Sequence, residues 1–83
     1  MEEVDVEQFI KNIGKQIRNL RKDRNMTQLD LGIESGMDES AVQRIETGRT
    51  SPTIKTLYKI MIGLEIKFTE LFEFPPEEEK KEE

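Results

Sequence analysis

Neither cysteine nor histidine occurs among the 83 residues. The first absence excludes a disulfide framework and any thiolate metal site. The second removes the commonest general base and the commonest zinc ligand. Long apolar runs are missing as well. Nothing approaches the roughly 20 apolar residues that a membrane-crossing helix needs, and the opening "MEEVDVEQF" lacks the apolar segment of a signal peptide. A soluble, cytoplasmic chain is expected. Apolar residues make up 34%, lean for a globular chain yet enough for one compact helical core. No stretch reads as a strand, and no repeat or Gly-rich phosphate loop is present. The acidic clusters lack metal-ligand spacing. The expectation is a protein that is not an enzyme and carries no metal or cofactor.

What is abundant is charge, and its distribution matters more than its sum. The formal net charge is -5. Residues 1–9 contribute -4 through Glu2, Glu3, Asp5 and Glu7, and residues 73–83 contribute another -4. The middle, 10–72, holds 11 basic and 8 acidic side chains, a net of +3. The acidity therefore sits in the two ends, and a mildly basic centre is compatible with a polyanionic partner.

Helix signals divide the centre. From Phe9 to Arg24, Ile10, Ile13, Ile17 and Leu20 fall at steps of three and four, one apolar face opposite Lys and Arg. Asn25 tolerates the left-handed conformation that ends many helices. Thr27, with Asp30 three residues on, forms a variant capping box for a second helix. Gly36 stops that helix, Asp38 caps a third that runs to about Thr47, and Gly48 ends it. Ser51-Pro52 reads as cap and first position of a fourth helix, with a stripe of Ile54, Leu57, Met61 and Leu64. A fifth helix is expected near Phe68–Phe72, with Lys67 in a poor capping place. Pro75-Pro76 stops regular structure, and "EEEKKEE" has the composition of a disordered tail. The organisation is an acidic segment over 1–8, a domain over 9–73 and a tail over 74–83.

"TQLDLGIESGMDESAVQRIETG" thus reads as two helices joined by a tight turn at Gly36. Gly32 sits where the two would cross. Val42 and Ile45 face the core, leaving Glu39, Ser40, Gln43 and Arg44 on an outward polar face that suits a major groove. Chemistry matches: Arg44 can span guanine O6 and N7, Gln43 adenine N6 and N7, and Glu39 can accept from cytosine N4, while Ser40 can donate or accept.

From about Ile13 to Phe72, the chain resembles the lambda-repressor-like, or Xre-type, helix-turn-helix DNA-binding domains. "IGKQIRNLRKDRNMTQLDL" is similar to their first helix and the start of the second. "SGMDESAVQRIETGRTSP" is similar to the turn, the recognition helix and the Glu-x-Gly-x-x-x-Pro passage. "TLYKIMIGLEIKFTELF" is similar to the closing pair. Gly32 stands where the family often has Ala, and Glu65 where it often has Gly. The resemblance implies an all-α, five-helix fold that binds double-stranded DNA as a transcriptional regulator of bacterial or phage type. It assigns phosphate contacts to Gln28, Thr47, Arg49, Thr50 and Thr53, base reading to Glu39, Ser40, Gln43 and Arg44, and an internal salt bridge to Arg21 and Glu46.

Plainer readings stand beside these. Asp38 is an N-cap first, its carboxylate taking orphan N–H groups. Glu39 serves the helix dipole, worth about 0.3–1 kcal/mol, or reads a cytosine. Gln28 is an ordinary solvated side chain or a phosphate holder. Lys11, Lys15, Arg18 and Lys22 form a solvated helix face. Tyr58, Ile62 and Phe74 fill the rim of a small core or form a self-association patch. A homodimer is expected, because one such domain reads only a short half-site. The competing function is a protein-interaction module of the same fold, as an antitoxin or adaptor, or a restriction-modification controller protein.

Overall fold

The computed structural model describes residues 5–74. Four α-helices, α1 (Val6–Asp23), α2 (Gln28–Ser35), α3 (Glu39–Glu46) and α4 (Ile54–Leu64), are followed by a 3-10 helix at Phe68–Phe72. No strand occurs among the described residues. The all-α expectation holds, but the fifth helix is corrected to 3-10. Five residues close only i→i+3 turns, such as Glu70 N–H to Lys67 O at 2.9 Å, and short pieces of this kind favour the tighter winding. Lys67 offers no acceptor to cap it. Instead the Glu70 carboxylate takes the Lys67 N–H at 2.8 Å.

α1 starts three residues earlier than the apolar pattern predicts. The Asp5 carboxylate accepts from Glu7 N–H at 3.0 Å and from Gln8 N–H at 3.5 Å, so the helix begins at Val6. Part of the acidic segment 1–8 is thus helical. Periodicity could not show this, because Val6 is 65% exposed and adds nothing to the core. Of the tail expected over 74–83, Phe74 packs against the core and residues 75–83, expected to be disordered, lie outside the described residues. At the far end of α1, Asn25 adopts φ 56°, and Met26 N–H returns to Arg21 O at 3.1 Å. The left-handed stop is where the sequence expects it.

The capping box of α2 is complete. Asp30 N–H donates to Thr27 Oγ1 and Thr27 N–H to Asp30 Oδ2, both at 2.9 Å. The Thr27 backbone N–H first, and then the Thr27 hydroxyl, hold the Asp30 carboxyl below its ordinary range. Gly36 then takes φ 72°, a conformation that costs a side-chain-bearing residue about 1–2 kcal/mol. Met37 N–H bonds back to Gly32 O at 2.7 Å, and the chain turns into α3.

α4 begins later than expected. Its cap is Thr53, whose hydroxyl accepts Thr56 N–H at 3.1 Å; Ser51 and Pro52 lie before the helix. Its buried face is Leu57, Ile60, Gly63 and Leu64, with Ile54 71% exposed. The helix is apolar almost all round, at Ile54, Leu57, Tyr58, Ile60, Met61, Ile62 and Leu64, so periodicity does not select a face. α2 does. A Cβ at Gly63 would fall on Ser35 Oγ, which shows how closely the two helices meet. Glu65 ends α4 at φ 58°, the left-handed position where the resembled family often has Gly.

Nine side chains form the core: Ile13, Ile17, Leu31, Val42, Ile45, Leu57, Ile60, Leu64 and Leu71. All but the 3-10 helix's Leu71 come from the four α-helices. Gln16 is buried and ties down the 3-10 segment, donating from Nε2 to Glu70 O at 2.8 Å and Glu73 O at 3.1 Å. Arg24 closes the opposite side, from Nε to Leu64 O and from Nη1 to Leu20 O, each at 2.9 Å. Neither role is visible in a pattern of apolar spacing.

Candidate nucleic-acid interface

α3 is eight residues long, too short to be stable by itself in water. Its position is imposed from beneath. Val42 and Ile45 are 1% and 3% exposed. A Cβ at Gly14 would collide with Ile45 O and lie 2.8 Å from Glu46 O, so α1 passes directly under the end of α3. A Cβ at Gly32 would lie 2.6 Å from Met37 O, so the turn between α2 and α3 passes directly over that glycine.

A further anchor is ionic. Glu46 Oε2 accepts from Arg21 Nε at 2.7 Å and Glu46 Oε1 from Arg21 Nη2 at 2.9 Å. The two side chains are 8% and 1% exposed. Arg21 Nη1 completes the set by donating to Met26 O at 2.7 Å. The hydrogen bond that Arg21 donates to Glu46 outweighs the cost of burial and raises the Arg21 pKa above its ordinary value. The geometry is the two-pronged arrangement for which a planar guanidinium is suited. The pair implied by the resemblance is therefore present.

Above this floor, Glu39, Ser40, Gln43 and Arg44 are all exposed. They occupy the face expected of them, across two successive turns. Asp38 stands at the N-cap with extended backbone, φ -74° and ψ 152°, but its side chain makes no capping hydrogen bond. The expectation that its carboxylate takes the orphan N–H groups is corrected. Two carboxylates, Asp38 and Glu39, thus stand unengaged at the outer end of α3, where the helix dipole favours negative charge.

The residues assigned to phosphates divide into three groups. Thr47 Oγ1 donates back to Gln43 O at 2.9 Å and lies 3.3 Å from Arg44 O. Thr53 Oγ1 caps α4 and bonds Thr56 Oγ1 at 3.1 Å. Both hydroxyls serve helix ends. Arg49 and Thr50 are exposed, and their backbone N–H groups fold onto Arg44 O at 2.9 and 3.3 Å. This brings the loop after α3 back beside the outward polar face of that helix. Gln28 is half-buried, and its Nε2 donates to Glu46 Oε1 at 3.1 Å, so it is not the freely solvated side chain of the plainer reading.

Of the residues considered for self-association, Tyr58 and Ile62 are 57% and 51% exposed. Ile54 extends them into a line at steps of four along α4. Phe74 is placed elsewhere. It is half-buried against the core and meets Phe9 edge-on, with ring centroids 5.9 Å apart. Phe9 in turn stacks on Phe72 at 6.3 Å. Among the described residues no helix is long and apolar enough to cross a membrane, and no three acidic side chains gather in a metal-holding cluster.

The helix-turn-helix family model matches residues 17–71 of this chain. The HTH-type transcriptional regulator SlrR of Bacillus subtilis is 39% identical over 62 residues, which is 74% of this chain and 41% of SlrR. The chain therefore spans about two fifths of that relative's length. The ImmF control region 10 kDa protein of Bacillus phage phi105 is 31% identical over 71 residues, covering 83% of this chain and 79% of that protein. Among solved structures, the restriction-modification controller protein C.AhdI from Aeromonas hydrophila superimposes with a TM-score of 0.75 at 30% identity, covering 76% of this chain and 96% of that one. With a family match over most of its length and the helix pair 28–46 at its centre, the chain belongs to the helix-turn-helix family.

Proposed function

We propose that this chain is a sequence-specific, DNA-binding transcriptional regulator that enters the major groove with α3. One observation carries the reading. α3 is fixed from below by a buried ion pair and two apolar side chains, and above it presents four unburied polar side chains. Arg44 takes a guanine through O6 and N7, Gln43 an adenine through N6 and N7, and Ser40 whichever edge lies between. Glu39 accepts from a cytosine N4 and opposes any base that presents only acceptors there. Gln28, Arg49 and Thr50 supply the phosphate contacts. Thr47 and Thr53 hold the helix ends that position them.

The partner is double-stranded DNA, read by a homodimer in a bacterial cytoplasm. Ile54, Tyr58 and Ile62 are the apolar face we assign to pairing, since their exposure leaves apolar area that a second copy would cover. A two-fold pair would set two α3 helices about 34–36 Å apart along the duplex. The likeness to C.AhdI over 96% of that controller protein favours one specific version, control of a restriction-modification system.

The test is a titration against the DNA upstream of the chain's own gene at two salt concentrations. Specific binding that weakens with salt is expected. No specific binding, or an Arg44→Ala variant that binds as well as the parent, overturns the reading.

A further inference from the structure

Glu46 does more than neutralise Arg21. Its Oε1 takes two donors, Arg21 Nη2 at 2.9 Å and Gln28 Nε2 at 3.1 Å. One carboxylate at the end of α3 thereby holds a side chain from α1 and another from the first position of α2. The contact has a chemical consequence for Gln28. An ionised carboxylate only accepts, so the Gln28 amide must turn its NH2 end toward Glu46. A freely rotating glutamine could offer either its carbonyl oxygen or its NH2 end outward, and the oxygen repels a phosphate. With one N–H committed to Glu46, the amide plane is fixed and the second N–H remains for an outside acceptor.

We propose that Glu46 is a positioning residue for phosphate recognition. It aims the remaining Gln28 N–H at a DNA phosphate and so locks the phosphate register of α2 to the base-reading face of α3. Arg21 acts one step further back: its two-pronged grip, with Met26 O as third support, keeps the Glu46 carboxylate in place. This inference rests on the DNA-binding reading, but it is separable from it. Glu46 touches no base and no phosphate itself.

The experiment uses the full chain with two probes, a duplex that the protein selects from a random pool and a duplex of mixed sequence. Gln28→Ala, Glu46→Gln and the double variant are compared, with thermal melting to verify folding. A hydrogen bond to a charged group corresponds to roughly tenfold in affinity or more. The expected result is about a tenfold loss for each single variant and about tenfold again, not a hundredfold, for the pair. The loss should be equal on both duplexes, since phosphate contacts carry no sequence information. Replacing backbone phosphates one at a time by neutral methylphosphonate should reveal one position that weakens the parent protein and leaves Gln28→Ala unaffected.

A folded Glu46→Gln variant that binds normally, or losses that multiply, overturns the positioning role and leaves the DNA reading standing. A parent protein that binds neither duplex overturns both. If Glu46→Gln does not fold, amide exchange in the parent decides. A Gln28 side-chain N–H that exchanges as fast as that of exposed Gln43 overturns the proposal, and slowed exchange supports it.

Discussion

The two faces of α3 obey different physics within eight residues. Val42, Ile45 and Glu46 look inward and are almost fully buried, whereas Glu39, Ser40, Gln43 and Arg44 look outward. The inward face sets where the helix is, and tolerates little change because its surroundings cannot relax. The outward face has no packing to lose, so its residues are free to be chosen for a partner. The separation teaches that adjacent residues of one short helix can be held under opposite constraints. Gln28 is the place where they touch, since its amide leans on the buried Glu46 and yet reaches the surface.

The largest effect should come from breaking the inward face. Glu46→Ala leaves the Arg21 guanidinium buried and uncompensated, which costs about 3–5 kcal/mol. For a domain this small that is a large fraction of total stability. Urea unfolding should show the midpoint collapse. A midpoint within a few tenths of a molar of the parent's would mean that the pair carries little.

Breaking the outward face should do the converse. Arg44→Ala is expected to weaken specific DNA binding by about 1–3 kcal/mol and relax specificity at one base pair, with an unchanged melting temperature. A variant that melted earlier but bound with the same preference would erase the distinction between the faces. Replacing Glu39 by Gln sharpens the same comparison: the selected sequence should change opposite that residue alone, read by repeating the selection.

Smaller effects lie outside α3. Glu65 holds a left-handed conformation at φ 58° without glycine's freedom. Glu65→Gly should stabilise the fold by roughly 1 kcal/mol, seen as a higher melting temperature with no change in DNA preference. The smallest concerns pH. The Asp30 carboxyl titrates below its ordinary value because it caps Thr27. Its contribution to stability is therefore present above the unfolded-state value, about 3.9, and is lost as pH falls through the lower folded-state value. Asp30→Asn should lose stability relative to the parent at neutral pH, with the gap narrowing in acid. A gap that widened on acidification would contradict the cap as the cause.

Much of this was legible in the chain itself. Asn25, Gly36 and Gly48 mark left-handed stops, and all three have positive φ. Thr27 and Asp30 mark a box that forms in full. The outward set on α3 follows from the positions of Val42 and Ile45. The misreadings have a common cause. Asp38 looks like a capping side chain, but a cap needs an oxygen in reach of a particular N–H, which residue type does not guarantee. Ser51-Pro52 looks like a helix start, but the cap is Thr53, two residues after Ser51, with the hydroxyl that Thr56 N–H finds. The stripe expected on α4 includes Ile54, which is exposed, because that helix offers several apolar faces.

The sequence by itself determined the helices, their stops and the polar identity of the face at Glu39, Ser40, Gln43 and Arg44. These depend on torsion preferences, capping chemistry and period, all of which act within a few residues. Only the tertiary structure decided which face of α4 is buried, that Phe74 joins Phe9 rather than Tyr58 and Ile62, and that Gln28 leans on Glu46. Those outcomes depend on which surfaces meet after the chain folds back on itself, and residues 18 apart in the chain reach hydrogen-bonding distance only when α1 brings α2 and the end of α3 together.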